Sequence, residues 1–255
     1  SIKDEIEVMD GDICNIDDFS KAFHDVETIY HLAAINGTRH FYEMPERVLE
    51  VNTKGIINAL DLSISNNVEK FIFSSSSEVY NQPDRIPTPE TERILIPDVT
   101  NPRFSYSGSK VIGELFCIHY AKKYNIDTRI IRYHNIYGPD MGFEHVIPDF
   151  IIRMKTLSKN IHNNKIDFPI QGSGKETRAF CYIDDAVDGT YLISKKGRNG
   201  QIYNIGNDQE EISINDLAFS ISKNISLEIN IIQGSLRVGS TFRRCPDISK
   251  IKKLG

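Results

Sequence analysis

Short apolar runs alternate along the chain with longer stretches whose apolar positions recur at helical spacing. The short runs Glu5–Met9, Thr28–Ala34, Lys70–Ser74 and Thr128–Tyr133 predict strands. The longer stretches predict helices over Asp17–Ala22, capped by Asp17 or Asp18, and over Pro45–Ser65, Ser107–Tyr124 and Tyr182–Ile193. In the second of these, Val48, Leu49, Asn52, Ile56, Leu60 and Ile64 fall near one face. Strands that are apolar almost throughout, alternating with helices, predict an α/β doubly wound parallel sheet covered on both faces. Beyond Tyr137-Gly138-Pro139 the loops lengthen, punctuated by Pro148, Pro169, Gly172 and Gly174. The expected organisation is a sheet domain over 1–140 and a smaller mixed α/β lobe over 141–255, interleaved with the sheet around 178–195.

Composition narrows the class. At 255 residues, 40% apolar and 25% charged, the chain can bury a core without a disulfide or metal staple. Its net charge of -5 and pI near 5.8 argue against nucleic acid or an anionic membrane as partner. Cys14, Cys117, Cys181 and Cys245 are scattered without zinc spacing, which predicts reduced thiols, a cytoplasmic setting and no metal. No apolar run reaches the roughly 18 residues of a membrane span, and Ser1–Glu5 is no signal peptide. The abundance of Ile, Asn and Lys suggests an AT-rich bacterial source.

A doubly wound sheet binds ligands at the carboxyl ends of its strands. Those ends carry Ala33-Ala34, Ser74–Ser77 and Tyr133-His134-Asn135. Two motifs elsewhere are set aside. Gly172-Ser173-Gly174-Lys175 lacks the upstream Gly and following Ser/Thr of a phosphate-binding loop. Asp10-Gly11-Asp12 lacks the late Glu of a calcium loop. The useful constellation is Ser76, Tyr106 and Lys110. Tyr and Lys four residues apart share a helical face, where the ammonium is expected to lower the phenol's pKa and make it a general acid/base. Tyr191 and Lys195 repeat the spacing but have no strand-end serine upstream. Glu78 adds a carboxylate, as base or as acceptor for a sugar hydroxyl.

These stretches together resemble an extended short-chain dehydrogenase/reductase of the NAD-dependent nucleotide-sugar epimerase/dehydratase branch. The resemblance runs through His31-Leu32-Ala33-Ala34, Val51-Asn52-Thr53-Lys54-Gly55, Phe73–Tyr80, Tyr106-Ser107-Gly108-Ser109-Lys110, Arg132–Pro139, Gly172–Phe180 and Arg243–Asp247. It implies a Rossmann-type sheet domain and a substrate lobe. Ser76, Glu78, Tyr106 and Lys110 would be catalytic. Asp12, Ile13, Leu32, Ala33, Ala34, Asn52, Ser74 and Tyr133, with Tyr106 and Lys110, would border NAD or NADP. Ser77, Asn135, Arg178 and Arg244 would hold the nucleoside-diphosphate sugar. Arginine suits that last task because its fork bonds phosphate bidentately. The family's helices also pair between subunits, so a homodimer is expected: Val111, Ile112, Leu115, Phe116, Ile118 and Tyr120 are more apolar positions than one buried stripe requires, and the Pro45–Ser65 helix is similarly rich.

The family opens with a Gly-rich turn that is not in this sequence, so the first β-α-β portion is expected to precede Ser1. A chain natively without that turn would instead be a non-catalytic nucleotide-sugar-binding remnant. In the implied chemistry Tyr106 takes the proton of the sugar 4-hydroxyl as hydride leaves C4. The 4-keto sugar then exits by epimerisation, by loss of water or by loss of carbon dioxide. Ser77-Glu78 and Arg244-x-Pro246-Asp247 look decarboxylase-like, whereas Ser107-Gly108-Ser109 do not. Epimerase/dehydratase is therefore the first expectation and a UDP-glucuronate decarboxylase the alternative. The segment Asn36–Pro45 fits none of these groups.

Overall fold

A computed structural model describes residues 5–159, 165–236 and 238–255. Ser1–Asp4, part of the N-terminus read above as no leader, lie outside the described residues. In chain order the helices are α1 (Ile16–Phe19), α2 (Thr38–Glu43), α3 (Pro45–Ser65), α4 (Phe104–Tyr124), α5 (Val146–Ser158), α6 (Ile183–Lys196), α7 (Ile214–Asn224) and α8 (Ser249–Lys252). The strands are β1 (Thr28–His31), β2 (Lys70–Ser76), β3 (Asp127–Tyr133), β4 (Ile136–Tyr137), β5 (Lys165–Ile170), β6 (Thr177–Ala179), β7 (Cys181–Tyr182), β8 (Gln201–Ile205), β9 (Glu211–Ser213), β10 (Glu228–Gln233) and β11 (Arg243–Arg244).

The main sheet has the order β1-β2-β3-β8, and every pairing is parallel. Its register sets Ser76 opposite Tyr133 and Tyr133 opposite Ile205, so the strands finish along one edge. Successive residues feed opposite faces. Phe71, Phe73 and Ile130 pack with Ile56, Leu60 and Cys117 under α3 and α4. Ile72 and Ile131 pack with Ala186, Ile193, Tyr203 and Ile251 under α6 and α8. Burial on both faces is why the strands read as unbroken apolar runs. Gly113 lets α4 lie close on β2, because a methyl group there would run into the Phe73 ring. A separate core of Phe150, Met154, Ile166, Phe168, Ala218 and Leu227 joins α5 and α7 to the parallel pair β5–β10.

Several boundaries differ from expectation. Residues 5–9 form no strand, since no neighbouring strand among the described residues pairs with them and all are exposed. The Asp17–Ala22 helix is the short α1 followed by a 3-10 turn over Ser20–Phe23. Its cap is Asn15, whose side chain accepts from the Asp17 N–H. β1 ends at His31, because the Leu32 N–H turns back to the Tyr30 carbonyl. Helix α4 begins three residues before Ser107, which places Tyr106 in its first turn. β8 returns to the main sheet from the C-terminal part of the chain, beyond the 178–195 span.

Candidate active site

β2 delivers the serine run to the sheet's edge, and a 3-10 turn over Ser77–Tyr80 follows. The Ser76 hydroxyl caps that turn by accepting from the Glu78 N–H at 3.2 Å. Across from it, the first turn of α4 supplies Tyr106, and Lys110 follows one turn later. Both are buried, Tyr106 at 6% and Lys110 at 2% exposure.

The electrostatics of this trio correct one expectation. The Lys110 ammonium donates to the Ser74 carbonyl at 2.7 Å and lies 5.5 Å from the centre of the Tyr106 ring. Burial pushes the Tyr106 phenol above the ordinary phenol range. The nearby Ser76 hydroxyl pulls it back, and the Glu78 charge pushes it further up. The phenol's main tuning partners are thus Ser76 and Glu78 rather than Lys110. Burial pulls Lys110 itself down to about 8, against the opposing pull of Cys117 and Glu114. His31, stacked on Phe71 and Phe73, is neutral: burial drives its imidazole down to about 3, and Lys110 adds to that.

Glu78 is clasped by arginines. Arg244 donates to its Oε1 at 2.7 Å, and an Arg103 Nη lies 3.8 Å from Oε2. Burial would raise this carboxyl, but Arg244, Arg103 and Arg178 outweigh it and hold it at about 2. Arg244, 9% exposed, also donates to the Thr241 hydroxyl. Arg178 donates from Nη1 to the carbonyls of Thr177 and Phe242 and from Nη2 to that of Thr241, three of its five N–H groups. Burial, followed by repulsion from Arg244, brings Arg178 down to about 10. Asn135 sits in a left-handed conformation at φ 44 and donates to the Ala179 carbonyl, while Ser77 is buried at 3%.

The residues expected to border a cofactor form two groups. After β1, Asn52 of α3 accepts from the Ile35 N–H at 2.8 Å and donates to the Ser109 hydroxyl at 3.0 Å. This ties the loop carrying Leu32, Ala33 and Ala34 to both helices. Ile13 packs on Gly55 of α3, where a Cβ would crowd it, and its carbonyl accepts from Asn58. Asp12 beside it accepts from the Cys14 N–H and from Arg47. Tyr133 shares a hydrogen bond of 2.7 Å with Thr190. With Leu32, Tyr30 and residues of α6 it lines an apolar groove of about 480 Å³.

The fold therefore brings Ser76, Glu78, Tyr106 and Lys110 to one place with Arg244 and Arg178, and holds Asp12–Ile13 on α3. Sequence reasoning passed over Arg103, Thr241 and Phe41. Arg103 stands one helical turn before Tyr106, a spacing that could have marked it. Thr241 and Phe41 carry no such signal. Among the described residues no group of His, Cys, Asp and Glu is arranged to hold a metal, and no helix is long and apolar enough to cross a membrane.

The donor set fits the nicotinamide end of NAD. A buried phenol, an ammonium with two protons free of the Ser74 carbonyl, and small Ala33 and Ala34 side chains meet at the carboxyl edge of a parallel sheet.

Comparison with known proteins gives the same class. The model of the NAD dependent epimerase/dehydratase family matches residues 1–206. A UDP-N-acetyl-alpha-D-glucosaminuronate decarboxylase of Bacillus cytotoxicus is 33% identical over 91% of this chain and 70% of its own. A putative UDP-glucose 4-epimerase of Methanocaldococcus jannaschii is 32% identical over the whole chain and 80% of its own. The crystal structure of a Thermotoga maritima UDP-glucose 4-epimerase with UDP-glucose superposes with a TM-score of 0.82 at 26% identity, covering 95% of this chain and 76% of that one. With its parallel sheet and its match over most of the sequence, this chain belongs to the NAD-dependent epimerase/dehydratase family of enzymes.

Proposed function

We propose that the chain transforms a nucleoside-diphosphate hexose through a 4-keto intermediate, with Tyr106 as the acid/base at the sugar 4-hydroxyl. The observation that supports this most is the meeting of Tyr106, Ser76 and Lys110, all buried or half-buried, with an arginine cluster across the cleft. Bound NAD supplies a reversible acceptor for the C4 hydride. Ser76 orients the hydroxyl whose proton Tyr106 takes, and Lys110 holds the cofactor ribose. Arg178 and Arg244 hold the diphosphate, which is dianionic and suits a cluster of three guanidinia around one carboxylate. Asp12, Ile13, Leu32, Ala33, Ala34, Asn52, Ser74 and Tyr133 border the cofactor. Ser77 and Asn135 border the sugar.

The exit from the 4-keto sugar turns on Glu78. A carboxyl held near 2 by arginines is a poor base for a C5 proton. This favours epimerisation, in which hydride returns to the opposite face of C4 and the proton returns from Tyr106. A second reading, loss of carbon dioxide from a 6-carboxylate, is favoured by Arg103. Its guanidinium is largely buried yet makes no hydrogen bond among the described residues. The test is incubation of the protein from its full reading frame, with NAD, with UDP-, dTDP- and GDP-linked hexoses and uronates. NMR should show a 4-epimer. Pentose formation from a uronate supports the second reading, and a 4-keto-6-deoxy product overturns both.

A second copy of the chain is the expected partner. Leu49 of α3 and Ile112 and Leu115 of α4 are 40%, 36% and 52% exposed on helices that pack against each other. Sedimentation should show a dimer at micromolar concentration.

A further inference from the structure

The segment Asn36–Pro45, which fits none of those exit groups well in sequence, includes α2, a helix of six residues with a single buried side chain, Phe41. That ring lies on the ring of Tyr106, with centroids 4.9 Å apart and planes inclined by 15°. Phe41 is 5% exposed, and Val48 at 0% and the partly buried Ile35 complete the cluster around the two rings.

We propose that Phe41 is the positioning residue of Tyr106: its ring fixes the plane of the phenol and closes one face of it to water. This rests on the acid/base role proposed for Tyr106.

The anchoring of α2 supports the assignment. Gly37, at φ +112, lets the chain turn into α2 where a side chain would be strained and would crowd Glu144 and His40. The Phe41 N–H bonds the Gly37 carbonyl, and the Met44 N–H bonds the His40 carbonyl. The Val48 N–H then bonds the Met44 carbonyl, so α2 runs into α3 with little slack. Before α2, Asn52 holds Ile35 by its backbone on both sides. Phe41 is thus delivered from a frame fixed at both ends.

The chemistry gives the stack its purpose. A phenol that takes and returns a proton must keep its oxygen within hydrogen-bond reach of the reacting hydroxyl through both half-reactions. A swing of the ring about the Tyr106 Cα–Cβ bond would move that oxygen, whereas turning about Cβ–Cγ leaves it on the ring axis. An offset aromatic neighbour resists this movement and excludes water. A phenolate over the electron-rich face of Phe41 is also disfavoured relative to the phenol, in the same direction as the burial that already raises the group. The charged groups that face Tyr106 are Glu78, from the turn after β2, whose charge raises the phenol, and Lys110, from α4 itself, 5.5 Å from the ring centre. The side chains that α2 and α3 pack against it, Phe41 and Val48, do not titrate.

Two readouts test the proposal, one without cofactor or sugar. Tetranitromethane nitrates accessible, ionising tyrosines, and peptide mass spectrometry reads each site separately. In Phe41→Leu, Tyr106 should be nitrated about tenfold faster than in the wild type, while the buried Tyr80 and Tyr203 stay protected. In Phe41→Tyr, which keeps a ring, Tyr106 should stay protected. With NAD and a turned-over sugar, Phe41→Leu should lower kcat about tenfold at unchanged KM. It should also move the acid limb of the pH profile to lower pH, because a better hydrated phenol ionises more easily. Phe41→Tyr should restore both. Should the Leu variant not fold, Phe41→Met carries the same test. Unchanged nitration of Tyr106 together with an unmoved limb overturns the proposal even if activity falls. If no sugar is oxidised, the proposed function fails, and nitration still decides the role of Phe41.

Discussion

Two clusters of charge flank α4, and they follow opposite rules. Behind the site, Arg132 and Glu114 are 1% and 2% exposed and matched atom for atom. Arg132 Nε donates to Glu114 Oε1 at 2.8 Å and Nη2 to Oε2 at 2.6 Å. The Ser75 hydroxyl donates to the same carboxylate, the remaining guanidinium arm donates to the Glu90 carbonyl, and the Tyr80 ring lies 4.6 Å beneath. Such a pair has no donor to offer a ligand. At the sheet's edge, by contrast, Arg103, Arg178 and Arg244 gather around Glu78, with Glu176 acting on Arg178 from further off. A cationic surplus half-open to the cleft attracts an anion, whereas a balanced buried pair holds structure together.

The contrast breaks or holds first on stability. Glu114→Gln leaves the Arg132 charge uncompensated in the interior and should cost about 3–5 kcal/mol in urea unfolding. Replacing both partners, as Glu114→Leu with Arg132→Met, should recover most of that loss. Arg103→Gln removes a surplus cation and should shift stability by no more than about 0.5 kcal/mol. A large loss in Arg103→Gln would erase the distinction between the two clusters.

Activity sharpens it next. Tyr106→Phe should fold normally and lower turnover at least about a hundredfold, the scale of a lost general acid/base. The rival Tyr191 is 60% exposed on the apolar groove, with Lys195 5.4 Å from its ring centre. Tyr191→Phe should leave turnover unchanged. Near-normal turnover in a folded Tyr106→Phe protein would remove the edge cluster from the chemistry.

Much of this was legible in the residues. The strands of the main sheet read as apolar runs because both faces are buried, and the Ser76, Tyr106 and Lys110 spacing survives into three dimensions. What failed depended on contacts distant in sequence. The 5–9 segment has strand composition but no strand among the described residues to pair with. The Lys110 ammonium turned to the Ser74 carbonyl, an acceptor 36 residues away that helix spacing cannot reveal. The Arg244–Glu78 bond spans 166 residues, and the Phe41 ring reaches Tyr106 through a segment with no recognisable motif.

A pH-dependent effect concerns Glu78. The ordinary carboxyl value of 4.5 falls to about 2 in the fold: burial pushes up, but Arg244, Arg103 and Arg178 push down harder. A folded-state value below the unfolded one means that the native state binds the proton less readily. The stabilisation is therefore complete above 4.5 and is lost as pH falls toward 2. Glu78→Gln removes it, so the variant should be less stable than wild type by about 1–3 kcal/mol at neutral pH. Urea midpoints taken across that window should converge as pH drops. A gap that persists to the acid end would mean that the arginines do not hold the carboxylate. At neutral pH the same variant separates the exits. An epimerase has no C5 proton to remove, so Glu78→Gln should keep turnover within about tenfold of wild type. Accumulation of NADH without product would instead make Glu78 the C5 base. The arginine clasp would then have to open during turnover, and the exit would be dehydration.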